Sequence, residues 1–167
     1  MQLDLKQAFQ QEGYRLPVSG ELDFSDLEFD NACPIPEPVS FSGTVENQNM
    51  VVMLRYHADF GYTRACDRCL DEATEMFELD FEHILAAEDS GDLSDELIVI
   101  PDFMLDFYEL AREDILLELP TKFLCSDDCL GLCPKCGCNL NHGSCDCDTS
   151  EPDPRLAALR ELLKKGG

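Results

Sequence analysis

Residues 125–147 read CSDDCLGLCPKCGCNLNHGSCDC and hold seven of the ten cysteines in the 167-residue chain. Together with one upstream motif, they place eight cysteines in four closely spaced pairs: Cys66 and Cys69, Cys125 and Cys129, Cys133 and Cys136, Cys145 and Cys147. Short spacing lets two thiolates bind one ion from a single tight turn, and a tetrahedral Zn²⁺ site with four sulfur ligands needs two such turns. The pattern therefore predicts about two structural zinc ions with these eight cysteines as ligands.

The spacing alone leaves open which pair shares an ion with which. If the last two pairs share one, they close a loop of eight residues and form a self-contained module. The first two pairs must then meet each other, which links the upstream part of the chain to the tail. Gly137 follows Cys136 directly and permits the positive φ that such a turn often requires. Cys33 and Cys138 are left over, and Cys33 is expected to be an ordinary half-buried thiol.

Other chemistries fit the cysteines less well. A redox dithiol at Cys66 and Cys69 would need the pair at the start of a helix, whereas strand-like sequence lies on both sides of it. Cys129, Cys133 and Cys136 have the spacing of radical enzymes with an iron–sulfur cluster, but only 31 residues follow Cys136, too few for the barrel of those enzymes. A disulfide scaffold needs export, for which the N-terminus shows no signal. A thiol protein that handles metal or redox equivalents is the alternative hypothesis.

The charge of the chain is strongly negative and unevenly placed. The chain holds 12 Lys or Arg against 35 Asp or Glu, a formal net charge of −23. Residues 1–120 hold 6 basic and 28 acidic residues, and residues 121–167 hold 6 basic and 7 acidic residues. Such a polyanion repels nucleic-acid phosphates, which argues against sequence-independent binding of nucleic acid by the first 120 residues. We predict three parts: an acidic α+β domain over 1–120, a cysteine-rich zinc module over 121–152 and a C-terminal helix over 153–167.

Ahead of the tail, the pattern of apolar residues predicts a small sheet. Two β-rich runs within Val39–Tyr56, joined by a polar turn at Glu46–Asn49, predict a hairpin. Glu72–Ile84 and Glu96–Ile100 are predicted as further strands, and Leu3–Gln10 is predicted to contain a short helix. The fold class is therefore predicted to be α+β. In it, a small antiparallel β-sheet or partly open barrel is packed by one long amphipathic helix.

The long helix is predicted between Pro101 and Pro120. Apolar residues recur on one of its faces, and four carboxylates lie on the other: Asp102, Asp106, Glu109 and Glu113. No His or Lys stands beside these carboxylates to complete an acid–base mechanism, and the sequence has no glycine-rich phosphate loop. We therefore predict no catalytic residues and no enzyme activity. The four carboxylates are instead expected to form a solvated face that binds a basic partner. His142 is expected to be exposed rather than a metal ligand.

Four motifs follow one another along the chain: Cys66-Asp67-Arg68-Cys69-Leu70 after a strand, the helix end Glu118-Leu119-Pro120, the run from Cys129 to Asn141 with Cys145-Asp146-Cys147, and the closing run from Asp153 to Leu159. This ordered set resembles the YceD family of bacterial and plastid proteins, named for accumulation of the large-subunit ribosomal RNA. The resemblance implies a part in making the large ribosomal subunit, through the processing or stability of its 23S RNA. Some family members lack the Cys-Pro-x-Cys-Gly motif of the tail but keep a Cys-x-Arg-Cys turn, here Cys66–Cys69 and called the first knuckle. They also keep a His or Cys pair just after the long helix. The resemblance therefore implies that the first two cysteine pairs form one site and the last two pairs a second.

The resemblance and the charge together predict a non-enzymatic assembly factor for the large subunit. Ribosomal proteins are strongly basic, so the acidic surface is expected to attract one of them, or a pre-ribosomal particle, by long-range electrostatics. RNA contact is expected only indirectly or through the tail, where Lys135, Arg155 and Arg160 are the candidates. No apolar run is long enough to span a membrane. We expect no small-molecule substrate. We expect the protein to be located in the cytoplasm.

Overall fold

The structure is a computed structural model, and it describes residues 1–28, 32–87 and 97–148. Its elements in chain order are β1 (Gln2–Asp4), α1 (Lys6–Gln10), β2 (Arg15–Leu22), β3 (Val39–Gln48), β4 (Val51–Ala65), β5 (Glu72–Ala86), β6 (Leu97–Val99), a 3₁₀ turn (Pro101–Phe103), β7 (Met104–Asp106) and α2 (Phe107–Glu118). The described residues are thus mostly β, with two α-helices. The predicted terminal helix over 153–167, with Arg155 and Arg160, lies outside the described residues.

The chain divides into two compact units. The sheet unit comprises Met1–Arg64 and Ala73–Lys122, and the cysteine unit comprises Ala65–Glu72 and Phe123–Gly167. The segment Ala65–Glu72, which connects β4 to β5, therefore groups with the tail rather than with the strands beside it. The three-part division made from composition, into 1–120, 121–152 and 153–167, stays a prediction.

Five strands of the sheet unit form one sheet in the order β2-β3-β4-β5-β6. Strand β3 pairs antiparallel with β2 and with β4, which confirms the predicted hairpin. The turn of the hairpin is shorter than predicted, because β3 continues to Gln48 and β4 begins at Val51. Asn49 and Met50 alone turn the chain, with φ values of 53° and 65°. Two successive positive φ values are typical of the type I′ turn, whose twist matches that of the flanking strands.

The far side of the sheet departs from the purely antiparallel prediction. Strand β6 pairs with the end of β5 in parallel, through Ile84–Ala86. Alternation of apolar and polar residues predicts a strand without its direction, so the sequence pattern did not distinguish the two cases. A second, two-stranded sheet joins β1 to β7 in antiparallel register, with Leu3 opposite Leu105.

Strand β4 carries much of the core of the sheet unit. From Val52 to Tyr62 every second residue is buried: Val52, Leu54, Tyr56, Ala58, Phe60 and Tyr62. Gly43 of β3 lies opposite Tyr56, and a Cβ at this glycine would come within 2.5 Å of the Tyr56 Cβ. The absence of a side chain at Gly43 therefore lets the Tyr56 ring occupy this part of the core.

The predicted long helix between Pro101 and Pro120 is wrong in length. Helix α2 begins only at Phe107, because Asp102 and Phe103 adopt positive φ values of 56° and 60° and residues 104–106 pair with β1. The Asp106 carboxylate then caps the helix by accepting a hydrogen bond from the Tyr108 N–H at 3.1 Å. The fold class is corrected accordingly: a 12-residue helix and a five-residue helix replace the one long helix.

The face of α2 that points inward is apolar with one carboxylate. Phe107, Ala111 and Ile115 are buried at the spacing of four that a helix requires. The Asp114 carboxylate accepts hydrogen bonds from the Tyr56 hydroxyl and from His83 Nε2, the latter at 2.7 Å. Burial, followed by the contact with Asp114, raises the pKa of Tyr56. No helix among the described residues is long and apolar enough to cross a membrane.

Candidate metal centres

Two cysteine pairs that are far apart in sequence meet in the cysteine unit. The Sγ atoms of Cys66, Cys69, Cys125 and Cys129 all lie within 4.8 Å of one another, and we call these four residues the first quartet. The Cys66 and Cys129 Sγ atoms are 3.7 Å apart, and those of Cys69 and Cys125 are 3.6 Å apart. Four sulfurs at about 2.3 Å from a central Zn²⁺ would be separated by about 3.8 Å. The spacing of the first quartet therefore fits a tetrahedral metal ion.

The second quartet consists of Cys133, Cys136, Cys145 and Cys147, whose Sγ atoms also lie within 4.8 Å of one another. The structure thus brings the eight predicted cysteines together in the two groups that the family resemblance implied. The quartets differ in exposure. Three of the four thiols in the first quartet are buried, whereas only Cys133 is buried in the second.

The two Cys-x-x-Cys segments form the same kind of turn. In the first, the Leu70 N–H donates to the Cys66 carbonyl at 2.9 Å, and in the second the Gly137 N–H donates to the Cys133 carbonyl at 2.8 Å. The residue after the second cysteine is left-handed in both, with φ of 63° at Leu70 and 73° at Gly137. The positive φ predicted at Gly137 is confirmed. Leu70 adopts the same conformation with a side chain, and that side chain is 67% exposed.

Backbone amides favour one thiolate in the first quartet. Burial opposes ionisation of Cys66, but N–H groups of Cys125, Arg68 and Cys69 lower its pKa to about 6. For Cys69, the Asp71 N–H favours the thiolate, while burial and the thiols around it raise its pKa to about 12. One thiolate therefore forms readily and the following ones accumulate like charge. A bound dication removes this repulsion, so the donor set fits a thiolate-binding metal ion.

In the second quartet, too, the pKa of one thiol is lowered and that of another is raised. The N–H groups of Cys136 and Lys135 lower the pKa of Cys133 to about 6, whereas the Cys136 side chain, followed by burial, raises the pKa of Cys147 to about 12. Lys135, the candidate for RNA contact, is exposed on this turn. Its backbone N–H, rather than its ammonium group, donates the hydrogen bond that favours the Cys133 thiolate.

Arg68, inside the first knuckle, holds the second pair of the first quartet in place. Its guanidinium donates to the Cys129 carbonyl at 2.9 Å and to the Asp127 carbonyl at 3.4 Å. The Asn141 side-chain amide donates to the Cys129 Sγ at 3.3 Å. Neither role was predicted from the sequence. Arg68 lies between the two cysteines of a motif already singled out, so its position was the only available signal.

Asp71 connects the first knuckle to the loop that carries the second quartet. Its carboxylate contacts His142 Nε2 at 2.9 Å and accepts from the Asn139 amide at 2.8 Å. His142, then Asn139, lower the pKa of Asp71. The Leu132 N–H also donates to the Arg68 carbonyl at 3.0 Å. His142 is 72% exposed and stands outside both quartets, as expected.

Cys33 and Cys138 also stand outside the quartets. The Cys33 thiol lies 3.2 Å from the Ile35 carbonyl, and the Cys138 thiol 3.8 Å from the Asn139 carbonyl. Both side chains are half-buried.

The four predicted partner-binding carboxylates do not share one helix face. Asp102 lies in the 3₁₀ turn and Asp106 caps α2, while Glu109 and Glu113 lie within α2. All four are exposed. The structure therefore places them along one stretch of surface chain without forming the continuous helical stripe that the sequence pattern predicted.

The outward face of the main sheet carries a ladder of ion pairs. The Arg55 guanidinium of β4 contacts Glu46 of β3 and Glu82 of β5, each at 2.7 Å. His57 contacts Asp80 at 2.8 Å through Nδ1 and Asp59 at 3.1 Å through Nε2. The contact with Asp80, then that with Asp59, raises the pKa of His57. Arg55 and His57 are thus each held between two carboxylates.

The chain is similar to bacterial proteins over much of its length. The uncharacterized protein YlbN of Bacillus subtilis (strain 168) is 27% identical over 130 residues, which are 77% of this chain and 76% of that protein. An uncharacterized protein of Mycobacterium tuberculosis (strain ATCC 25618 / H37Rv) is 32% identical over 109 residues, 59% of this chain and 49% of that protein. No solved structure matches.

Two further matches carry a description. The Arabidopsis thaliana protein named "Large ribosomal RNA subunit accumulation protein YCED homolog 1, chloroplastic" is 35% identical over 61 residues, 36% of this chain and 19% of that protein. A family model described as "Large ribosomal RNA subunit accumulation protein YceD" matches residues 54–163, which include both quartets. By this match, over more than half of its length, the chain belongs to the YceD family.

Proposed function

We propose that the chain is a non-enzymatic biogenesis factor of the large ribosomal subunit, which supports the processing or accumulation of 23S rRNA. The observation that carries this proposal is the family match over residues 54–163, because the family is described by accumulation of the large ribosomal RNA. The chloroplast relative carries the same description in its name. The residues in the two quartets lie within the matched range, so the proposal links the cysteine unit to this function.

Each quartet holds one structural zinc ion in this proposal. The distances of 3.6 and 3.7 Å between sulfurs in the first quartet support it, since they are close to those of a tetrahedral site. Four sulfur ligands leave no position for a water or a substrate, which is the pattern of structural rather than catalytic zinc. The ions would hold together the segments of the cysteine unit, which have little apolar core of their own. The folded chain would then present the acidic surface.

The acidic surface is proposed to bind a basic ribosomal protein or a pre-ribosomal particle. Residues 1–120 carry 28 acidic residues against 6 basic ones, and the exposed carboxylates Asp102, Asp106, Glu109 and Glu113 belong to that excess. A surface of this sign speeds encounter with cationic proteins and repels free RNA. RNA contact is therefore proposed to be indirect, or to run through the tail, where Lys135 is exposed.

Affinity purification of the tagged full chain from growing cells tests this function. At low salt we expect basic large-subunit proteins or a precursor of the large particle to be enriched, and we expect the association to weaken steeply as salt rises. A chain with the four carboxylates replaced by Asn and Gln serves as the matched control and should capture less. Tight binding of naked 23S RNA fragments that survives removal of residues 121–167 would contradict the proposal.

The alternative is a thiol protein that handles metal or redox equivalents. The lowered pKa values of Cys66 and Cys133, both about 6, favour this alternative when no metal is bound, because thiolates are the reactive form. Metal analysis with thiol titration separates the two hypotheses. Structural sites should hold about two Zn²⁺ and leave about two reactive thiols, and chelation should unfold the cysteine unit. Reversible disulfide formation without unfolding would support the alternative.

A further inference from the structure

Strand β5 has a long free edge in the part of the chain that the structure describes. Within the sheet, β5 lies between β4 and β6. Strand β6 pairs only with Ile84–Ala86, although β5 begins at Glu72. Residues 72–83 of β5 therefore lack a neighbouring strand on the side away from β4, counting the described residues alone. Such an edge presents backbone N–H and C=O groups that another chain can pair with.

Of the usual devices that block pairing, this edge has only charged side chains. Residues 72–86 contain no proline, glycine or lysine. By contrast β2, at the opposite end of the same sheet, contains Pro17, which has no backbone N–H to donate, and Gly20, which weakens a strand. The protection on β5 is purely one of charge, because five of its 15 residues are Asp or Glu. Like charges disfavour pairing of this edge with a second copy of itself, whereas a basic strand meets opposite charges.

The two faces of β5 next to this edge differ in character. Glu78, Asp80 and Glu82 alternate along the outward face and are exposed. Phe77, Leu79 and Phe81 alternate along the inward face and are only half-buried.

The half-buried aromatic rings belong to the packed interior of the sheet unit. The Phe77 ring lies 5.5 Å from that of Phe60, and the Phe81 ring lies 4.9 Å from that of Tyr56, measured between centroids. The core therefore continues up to the edge, and no strand among the described residues covers it there. An added strand would need apolar side chains on the inward face and basic side chains on the outward face.

We propose that the edge of β5 over residues 73–83 binds an extended segment of a basic protein in which Lys or Arg alternates with apolar residues. The segment pairs with the backbone of β5, its basic side chains meet Glu78 and its neighbours, and its apolar side chains cover Phe77 and Phe81. This inference rests on the proposed function, since it names the surface by which a basic large-subunit partner is held. The carboxylates around α2 then contribute attraction at a distance only.

The test uses the full zinc-loaded chain and a fluorescent synthetic peptide of about ten residues in which Lys and Val alternate. A second peptide has the same side chains with every internal amide N-methylated, so that it keeps its charge and cannot donate backbone hydrogen bonds. We expect the first peptide to bind with micromolar affinity and the N-methylated one to bind at least about tenfold more weakly. Equal affinity for both peptides would overturn the proposal, because charge alone would then explain the binding.

Two matched variants locate the site. Glu78→Lys reverses a charge on the outward face of β5, and Glu21→Lys makes the same change at an exposed position of β2, at the other end of the sheet. We expect Glu78→Lys to weaken the peptide about tenfold and Glu21→Lys to have a much smaller effect. Glu78→Gln, which adds no positive charge, provides a milder variant in case the reversal disturbs folding. Equal loss in the Glu78 and Glu21 variants would assign the binding to overall charge and overturn the proposal.

Hydrogen exchange of the backbone amides identifies the edge directly. The peptide should slow exchange within residues 73–83 and leave that in β2 unchanged. Protection elsewhere, or self-association of the chain through β5, would overturn the assignment of this edge to a basic partner. If the peptide fails to bind while the full chain still captures a basic large-subunit protein from cells, the edge proposal is wrong and the proposed function stands. If neither binds, both are wrong.

Discussion

The Sγ atoms of Cys66 and Cys129 lie 3.7 Å apart, although 63 positions separate the two residues in the chain. All of β5, β6, β7 and α2 lie between them in sequence. A metal ion bound by the first quartet therefore closes a long loop, and it links the connection between β4 and β5 to the tail. The second quartet closes only a short loop within the tail.

Loading of the second quartet is predicted to depend on the first. The loop that carries it contacts the first knuckle through Leu132 with Arg68 and through His142 and Asn139 with Asp71. Wild-type protein should hold about two Zn²⁺, and Cys147→Ser about one. Cys66→Ser should hold clearly less than one, since the second loop loses its support. Native mass spectrometry measures the stoichiometry, and one full ion retained by Cys66→Ser would contradict the predicted order.

Substitutions at the left-handed residues of the two Cys-x-x-Cys turns are predicted to have different effects on stability. Leu70 has φ of 63° and Gly137 has φ of 73° at the same position of their turns. A left-handed conformation costs a residue with a Cβ about 1 kcal/mol more than glycine. Gly137→Ala should therefore destabilise the cysteine unit by about 1 kcal/mol, whereas Leu70→Gly should leave its stability unchanged or raise it slightly. Zinc competition titrations of the two variants check this prediction. A loss of zinc affinity of similar size in both variants would contradict the claim that the two segments form the same turn.

Asp114 is predicted to be a main polar anchor of α2. Asp114→Ala would leave the Tyr56 hydroxyl and His83 without their shared acceptor in a half-buried place, so the free energy of unfolding should fall by about 2 kcal/mol. Tyr56→Phe should cost about 1 kcal/mol, because His83 keeps its contact. Glu113→Ala, at the exposed neighbouring position, is the control and should stay within about 0.5 kcal/mol of wild type in urea denaturation. A control variant as destabilised as Asp114→Ala would assign the loss to the helix in general.

His57 is predicted to make stability depend on pH. Asp80 and Asp59 raise its pKa in the folded chain above the ordinary value of 6.5. A raised pKa means that the imidazolium stabilises the fold. This contribution is complete below pH 6.5 and is lost as the pH rises through the folded-state pKa. The difference in unfolding free energy between wild type and His57→Gln should thus be largest below pH 6.5 and shrink as the pH rises above it. An unchanged difference across this range would contradict the role of His57.

Much of the main sheet could be predicted from the alternation of apolar residues, but β2 could not. In Arg15–Leu22, the inward residues Leu16, Val18 and Leu22 do alternate, yet Pro17 and Gly20 between them are uncommon in strands. The partner of β2 is β3, which offers buried positions from Val39 to Val45. Tertiary pairing therefore overrides the weak local preference, and such pairing is not visible in one sequence.

The helix prediction failed for a related reason. The spacing of apolar residues from Met104 onward fits a helix, and the pairing of Met104–Asp106 with β1 lies about 100 positions away in sequence. The cysteine quartets were easier, because the ligand types and short spacings already limit the chemistry. Spacing did not settle which pairs meet, since the chain between Cys69 and Cys125 is long enough to allow either partner. The supporting contacts of Arg68 and Asn141 depend on that pairing, so the sequence pattern could not predict them.

The ratio of mature 23S to 16S rRNA in cells that lack this chain tests the central claim most directly. We predict that the ratio falls when the chain is deleted and that 23S precursors or incomplete large particles accumulate. The wild-type chain should restore the ratio, and Cys66→Ser, which loses the first quartet, should not. An unchanged ratio with normal large subunits in the deletion strain would contradict a role of this protein in large-subunit biogenesis.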